Sequence, residues 1–131
     1  MSGRLMELLL RVENVQRSVA FYRDVLGLSV EPGDDAASHF EVFWGRWEPE
    51  AADLVMFLIY PTDSDHPKSV CELGFSVPNL DVVHVAVVKS GQPVLEEPSP
   101  KSWGMQATFR DPDGNVVAVA QSPMSIVPSG S

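Results

Sequence analysis

The apolar residues of the chain follow one pattern twice. In residues 7–12, a face of two leucines and a valine alternates with a face that carries Glu7 and Arg11. Residues 72–77 repeat this arrangement, with Glu72 at the position equivalent to Glu7. Each segment therefore predicts a strand with one apolar face, and the two strands open two copies of the same unit.

A helix is predicted directly after each of these strands. Asn14 and Asn79 can cap the helices by accepting a hydrogen bond from a first-turn N–H. Apolar residues then recur at helical spacing, and Gly27 and Gly91 follow as the left-handed residues that end the two helices. Residues 81–88 are so rich in valine that local propensity alone favours a strand. Because this segment matches the first helix in the repeat, we predict a helix.

Three shorter extended runs follow each helix. Turn chemistry separates them, above all in residues 111–114, where Pro is second and Gly fourth. The predicted strands are residues 28–31, 38–44 and 54–60 in the first unit and residues 93–95, 105–110 and 116–120 in the second.

These elements predict an α+β fold of two βαβββ modules, at about 5–60 and 70–121, joined by a linker at 61–69. We expect residues 1–121 to form one domain and the tail at 122–131, rich in Pro and Ser, to be mobile. One module cannot cover both faces of its own sheet. The modules are therefore expected to form a cup-shaped mixed sheet around a shared cavity, with the helices outside.

Composition narrows the classes of partner. The chain has 131 residues, a formal net charge of −9 at pH 7 and one cysteine, Cys71. The acidic charge without a basic cluster argues against nucleic acid, and the lack of a long apolar stretch argues against a membrane. The unpaired cysteine and the absence of a signal-peptide pattern in residues 1–12 predict a cytoplasmic protein. An acidic surface would also suit a cationic ligand.

Four segments carry a resemblance to a known family. They are Leu-Arg-Val-Glu-Asn-Val at 10–15 with Ser18, Phe-Tyr-Arg-Asp-Val-Leu-Gly-Leu at 21–28, Trp-Gly at 103–104 and Phe-Arg-Asp-Pro-Asp-Gly-Asn at 109–115. The chain resembles the vicinal oxygen chelate superfamily, which contains glyoxalase I, extradiol dioxygenases, and fosfomycin- and bleomycin-resistance proteins. The resemblance implies paired βαβββ modules and a homodimer. Because members isomerise, oxygenate or only bind their ligands, function depends on the site residues.

The resemblance also implies a divalent metal, held by His, Gln or Glu from the first and fourth strands of each module. Glu7 and Glu72 occupy the first-strand positions and are candidate oxygen ligands. Ala118 stands where a Glu is usual, and residues 54–60 contain no His, Asp or Glu. Metal sites of this type need three or four protein ligands, so we expect no catalytic metal and no other cofactor.

Glu7 and Glu72 then need another explanation, because carboxylates in a partly apolar cavity are costly unless they are paired. They either recognise a cationic or hydrogen-bond-donating ligand, lie in water at the cavity mouth, or pair with Arg11 or Arg110. His39 begins a predicted strand and could face either way.

Aromatic and methionine side chains on the predicted strands and loops are candidates for binding an apolar or planar ligand. Ordinary core packing is the alternative for all of them except Trp103, which the resemblance places in a loop over the cavity. Phe43 is one of these candidates. The predicted ligand-binding residues are Glu7, Trp44, Met56, Phe57, Glu72, Trp103 and Met105.

The leading hypothesis is a metal-independent protein of the bleomycin-resistance kind that binds or sequesters an apolar or aromatic, cationic small molecule. One alternative is a metal-dependent lyase or dioxygenase, in which water or a residue from a partner chain completes a site built on Glu7 and Glu72. Another is a structural or regulatory member without catalytic chemistry.

Overall fold

The computed structural model describes residues 3–33, 39–45 and 54–121. The chain divides into two compact units, Met1–Ser69 and Val70–Ser131. The predicted tail at 122–131 and the first residue of the predicted strand 38–44 lie outside the described residues. In the described ranges, no helix has the length and hydropathy needed to cross a bilayer.

The first unit contains a mixed four-stranded sheet. Its strands are β1 (Glu7–Val12), β2 (Glu31–Pro32), β3 (Phe40–Trp44) and β4 (Val55–Pro61), arranged in the order β1-β4-β3-β2. β1 and β4 are parallel, whereas β3 is antiparallel to both of its neighbours. The first and last strands of the unit therefore lie side by side.

The helical segment of the first unit begins as predicted and then departs from an α-helix. The side chain of Asn14 caps α1 (Val15–Val19), because its Oδ1 accepts a hydrogen bond from the Arg17 N–H at 3.0 Å. The following residues, Ala20–Val25, form a π-helical turn instead of continuing the predicted α-helix. Gly27 follows with a φ of 80°, so the predicted left-handed residue is confirmed.

The π turn fits two adjacent aromatic residues against the sheet. Phe21 and Tyr22 are both buried, which a wider turn permits because neighbouring side chains diverge less around it. The Tyr22 ring packs edge to face on Phe57 of β4, with centroids 5.3 Å apart. The helical segment therefore covers the sheet face that carries Phe57.

The second unit repeats this architecture. Its elements are β5 (Glu72–Ser76), α2 (Leu80–Ser90), β6 (Val94–Lys101), β7 (Gly104–Arg110) and β8 (Val116–Gln121), and the sheet order is β5-β8-β7-β6. The valine-rich segment is helical, as the repeat predicts. Its cap at Asn79 and its left-handed end at Gly91, with a φ of 83°, are both confirmed. The α+β class and the two βαβββ modules are confirmed as well.

Two strands differ clearly from the prediction, whereas the ends of the others agree to within one or two residues. β2 contains only Glu31 and Pro32, whereas the prediction placed a strand at 28–31. β6 extends to Lys101, well beyond the predicted 93–95. The charged and proline residues of β6 are unusual in a strand, so the sequence did not predict its full length. They are tolerated because β6 lies at the edge of the sheet. The register between β6 and β7 also shifts twice.

Candidate functional site

Each unit has a sheet face that points away from its own helix, here called the helix-distal face. In the first unit, β1 and β4 are paired with Glu7 opposite Met56 and Leu9 opposite Leu58, and β3 adds Glu41 and Phe43 to the same face. The full helix-distal face of the first unit comprises Glu7, Leu9, Arg11, Glu31, Glu41, Phe43, Met56, Leu58 and Tyr60.

The structure divides the predicted ligand-binding residues of the first unit between its two faces. Glu7 and Met56 are register partners on the helix-distal face. Phe57 is 3% exposed and packs on Tyr22, so the structure places it in the core and not among the exposed side chains of the face. Trp44 lies on the same face as Phe57 by strand alternation, although its position at the end of β3 leaves it exposed.

The helix-distal face of the second unit is more polar and has smaller side chains. It comprises Glu72, Gly74, Ser76, Glu96, Ser99, Lys101, Gly104, Gln106, Thr108, Arg110, Val116, Ala118 and Ala120. Trp103, in the turn between β6 and β7, is 55% exposed, and its Nε1–H donates a hydrogen bond to Gln106 Oε1 at 2.9 Å. Met105 alternates to the helix-covered face, where it is also exposed.

A charged pair lies on the helix-distal face of the second unit. Lys101 Nζ donates a hydrogen bond to Glu96 Oε2 at 2.8 Å, and the hydroxyls of Ser99 and Thr108 donate to the same carboxylate at 3.4 Å. The hydrogen bond from Lys101 lowers the pKa of Glu96, because it stabilises the charged form. The Glu96 carboxylate is therefore already paired with a cation, the Lys101 ammonium.

Apolar side chains occupy the fourth-strand positions on both helix-distal faces. Leu58 shares its face with Glu7, and Ala118 shares its face with Glu72, at equivalent positions of the repeat. Residues 3–33, 39–45 and 54–121 contain no cluster of three His, Cys, Asp or Glu side chains that could hold a metal ion. The donor set of each unit thus does not fit the divalent metal that the resemblance implies.

The two arginines that were candidates to neutralise the first-strand glutamates have other partners. Arg11 Nη1 donates a hydrogen bond to the Pro61 carbonyl at 3.0 Å and lies 3.7 Å from Asp63 Oδ2. Arg110 Nη1 donates to the Gly114 carbonyl at 2.7 Å. Among the described residues, these contacts are found in place of a pairing with Glu7 or Glu72, which was one of the alternatives left open by the sequence.

Sequence reasoning missed Glu41, which is paired with a buried histidine. His39 is 4% exposed, and its Nε2 lies 2.8 Å from Glu41 Oε2. The available signal was their spacing, because residues two apart on an extended chain lie on the same face. The helix-distal face of the first unit therefore carries a carboxylate, Glu41, that is in contact with a buried imidazole.

The turn that carried much of the resemblance has a structural role. The buried Asp111 accepts hydrogen bonds through Oδ1 from the Asn115 N–H at 2.8 Å and the Asp113 N–H at 3.0 Å. Asn115 Oδ1 in turn accepts from the Cys71 N–H, next to β5, at 2.9 Å. The turn therefore holds the end of β7 and the start of β8 beside β5 of the same unit.

Known proteins similar to this chain cover nearly all of it. Lactoylglutathione lyase from Salmonella typhimurium is 26% identical over 125 residues, which are 91% of this chain and 93% of that protein. TnmS3, an antibiotic binding protein from Streptomyces sp. CB03234, has a TM-score of 0.65 at 23% identity, covering 92% of this chain and 97% of that one. Oxidase ChaP-H2 has a TM-score of 0.69 at 19% identity, covering 94% and 96%. At these identities the two structures show the fold alone.

The sequence model of one family matches residues 4–119, which include most of both sheets and the Asp111–Asn115 turn. This range contains every segment that carried the resemblance in the sequence. The resemblance is therefore confirmed, and the chain belongs to the Glyoxalase/Bleomycin resistance protein/Dioxygenase superfamily.

Proposed function

We propose that this protein binds an apolar or aromatic small molecule on its helix-distal faces and does so without a metal ion. The observation that carries the proposal is the pair Leu58 and Ala118. Apolar side chains there leave each first-strand glutamate without the neighbouring donor that a metal would need. Ala118 is partly exposed and adds apolar surface to the helix-distal face of the second unit, whereas Leu58 is buried.

Exposed aromatic groups support the proposal. In the first unit, Phe43 is 41% exposed and lies opposite Met56 on the helix-distal face. An aromatic ring beside a flexible thioether suits varied apolar ligands. In the second unit, the hydrogen bond to Gln106 holds the exposed Trp103, so its indole is oriented before a ligand arrives.

The comparisons support binding and also favour one rival. TnmS3 is described as an antibiotic binding protein, which agrees with sequestration of a drug-like molecule. The rival is a metal-dependent lyase built on Glu7 and Glu72, favoured by the 26% identity to lactoylglutathione lyase. A homodimer, as the resemblance implies, and a cytoplasmic location, as the sequence predicts, suit either function.

Metal analysis separates the proposal from its rival. We expect the purified protein to contain far less than one zinc, nickel, iron or manganese ion per chain, and titration with these ions to leave its tryptophan fluorescence unchanged. We also expect no formation of S-lactoylglutathione in the presence of any of these ions. A stoichiometric, tightly bound metal would overturn the proposal in favour of the lyase.

A thermal-shift screen against basic antibiotics and aromatic metabolites then tests binding. A ligand at about 100 times its Kd should stabilise the native state by about 2.7 kcal/mol. The variant Phe43→Ala should reduce this shift. Val82→Ala, which truncates an exposed apolar side chain on α2, should leave it unchanged. No shift with any compound would favour a structural or regulatory protein instead.

A further inference from the structure

His39 directly precedes β3 and packs closely against Tyr60 and Glu41 of the helix-distal face of the first unit. Its ring stacks on Tyr60, with centroids 4.3 Å apart and planes within 7°. A side chain at Gly33 would collide with this ring as it stands, so the ring and the Gly33 backbone are in close contact. The Gly33 N–H also donates a hydrogen bond to the His39 carbonyl at 2.8 Å. The imidazole is therefore fixed by contacts on its own unit.

This orientation directs the imidazole to Glu41. Nε2 of His39 lies 2.8 Å from Glu41 Oε2. With its proton on Nε2, His39 donates this hydrogen bond to the Glu41 carboxylate. Among the described residues, the Glu41 side chain has no other hydrogen-bond or ion-pair partner. Its partly exposed side chain therefore keeps Oε1 available to a ligand.

Apolar groups lie on the β4 side of this carboxylate, whereas its register partner on the β2 side is Glu31. Glu41 is the register partner of Leu58, and Phe43 lies two residues further along β3, opposite Met56. Arg11, the cation of this face, is engaged by a backbone carbonyl and a loop carboxylate. A carboxylate beside apolar surface is costly to desolvate when unpaired, so a positive group brought by a ligand would have a strong effect.

We propose that Glu41 is the anchor for a positively charged nitrogen on an organic ligand whose apolar part lies on Phe43 and Met56. His39 is the positioning residue, because it fixes the carboxylate and does not itself reach the ligand. The inference rests on the proposed function, since it assumes that the ligand occupies the helix-distal face of the first unit. It names the ligand class, an organic ammonium, and a residue that recognises it.

Two probes with the same apolar body test this anchor: 1-naphthylmethylammonium and the neutral 1-naphthylmethanol. Ligand-observed NMR gives a Kd for each. The wild type should bind the cation about tenfold more tightly, as expected for one charge-assisted hydrogen bond. Glu41→Gln keeps the shape and should abolish this preference by weakening the cation alone. Asp65→Asn makes the same charge change in an exposed loop and should preserve it.

Two His39 variants separate positioning from simple support of the fold. His39→Phe keeps a ring on Tyr60 but removes the donor, so the cation preference should fall several-fold while the melting temperature changes little. His39→Gln restores an N–H donor and should recover part of the preference. A role in stability alone would lower the melting temperature of both variants without changing the ratio of the two Kd values.

The outcomes distinguish this inference from the function on which it rests. Equal binding of both probes, or a Glu41→Gln variant that keeps the preference, overturns the Glu41 anchor and leaves small-molecule binding intact. Loss of the preference in Glu7→Gln, with Glu41→Gln unaffected, assigns the anchor to β1 and also overturns the inference. Binding of neither probe refutes the apolar site itself, and the anchor with it.

Discussion

Replacing Asp111 by Ala removes the acceptor around which the turn between β7 and β8 is folded. Oδ1 accepts two backbone N–H groups, from Asp113 and Asn115, and Oδ2 accepts the Asn115 side-chain amide at 3.1 Å. Hydrogen bonds to a charged group contribute about 1.5–3 kcal/mol each, but those that share one carboxylate are not additive. The variant also leaves the buried Asn115 N–H unpaired, which costs about 1–3 kcal/mol. We therefore expect a loss of about 3–5 kcal/mol in the free energy of unfolding.

Equilibrium unfolding in urea measures this loss, with the m-value as a check that the transition keeps its cooperativity. Asp111→Asn keeps an oxygen for the two backbone bonds but sets its amide against that of Asn115, so its loss should be about half as large. Asp65→Ala, in an exposed loop, should change the free energy of unfolding by no more than about 0.5 kcal/mol. A loss below about 1 kcal/mol for Asp111→Ala would refute the structural role of this carboxylate.

Two further predictions test the charged pair of the second unit and the division of faces in the first. Lys101→Met removes the hydrogen bond that lowers the pKa of Glu96, so NMR titration of the glutamate carboxyl carbons should show that pKa rising towards its ordinary value. Because the folded-state pKa is the lower one, the stabilisation is present above the unfolded-state pKa and is lost as pH falls through the folded-state value. The variant should lose less stability in acid, and an unchanged pKa would contradict the pairing. Phe57→Ala empties space against Tyr22 and should cost about 3–5 kcal/mol in urea unfolding, whereas Phe43→Ala should cost little and weaken binding of naphthyl probes. The reverse order of stabilities would contradict the assignment of faces.

Local chemistry explains why the helix boundaries could be predicted. Asn14 and Asn79 each cap a helix through a contact within their own first turn, and Gly91 needs only its own backbone freedom to end one. The π turn could not be predicted in this way. It depends on the packing of Tyr22 on Phe57 of β4, a residue that lies far from it along the sequence.

The site was predicted less well because alternation fixes which residues share a face but not which face is covered. β4 is apolar on both faces, so the sequence could not separate Met56 from Phe57. Only the packing of Tyr22 makes Phe57 a core residue. His39 was ambiguous for a similar reason: its orientation is set by Tyr60 and Gly33, which are distant positions that meet only in the fold.

The strand order has a consequence for how the chain is made. Every strand of the first sheet is contained in Met1–Ser69, and the pairing of β1 with β4 completes that sheet. A nascent chain that has left the ribosome as far as Ser69 therefore holds all the strand partners of its first unit, whereas the second sheet must wait for β8. Since domains generally fold as units during synthesis, N-terminal first, the face that carries Glu41 should form before the second unit is complete.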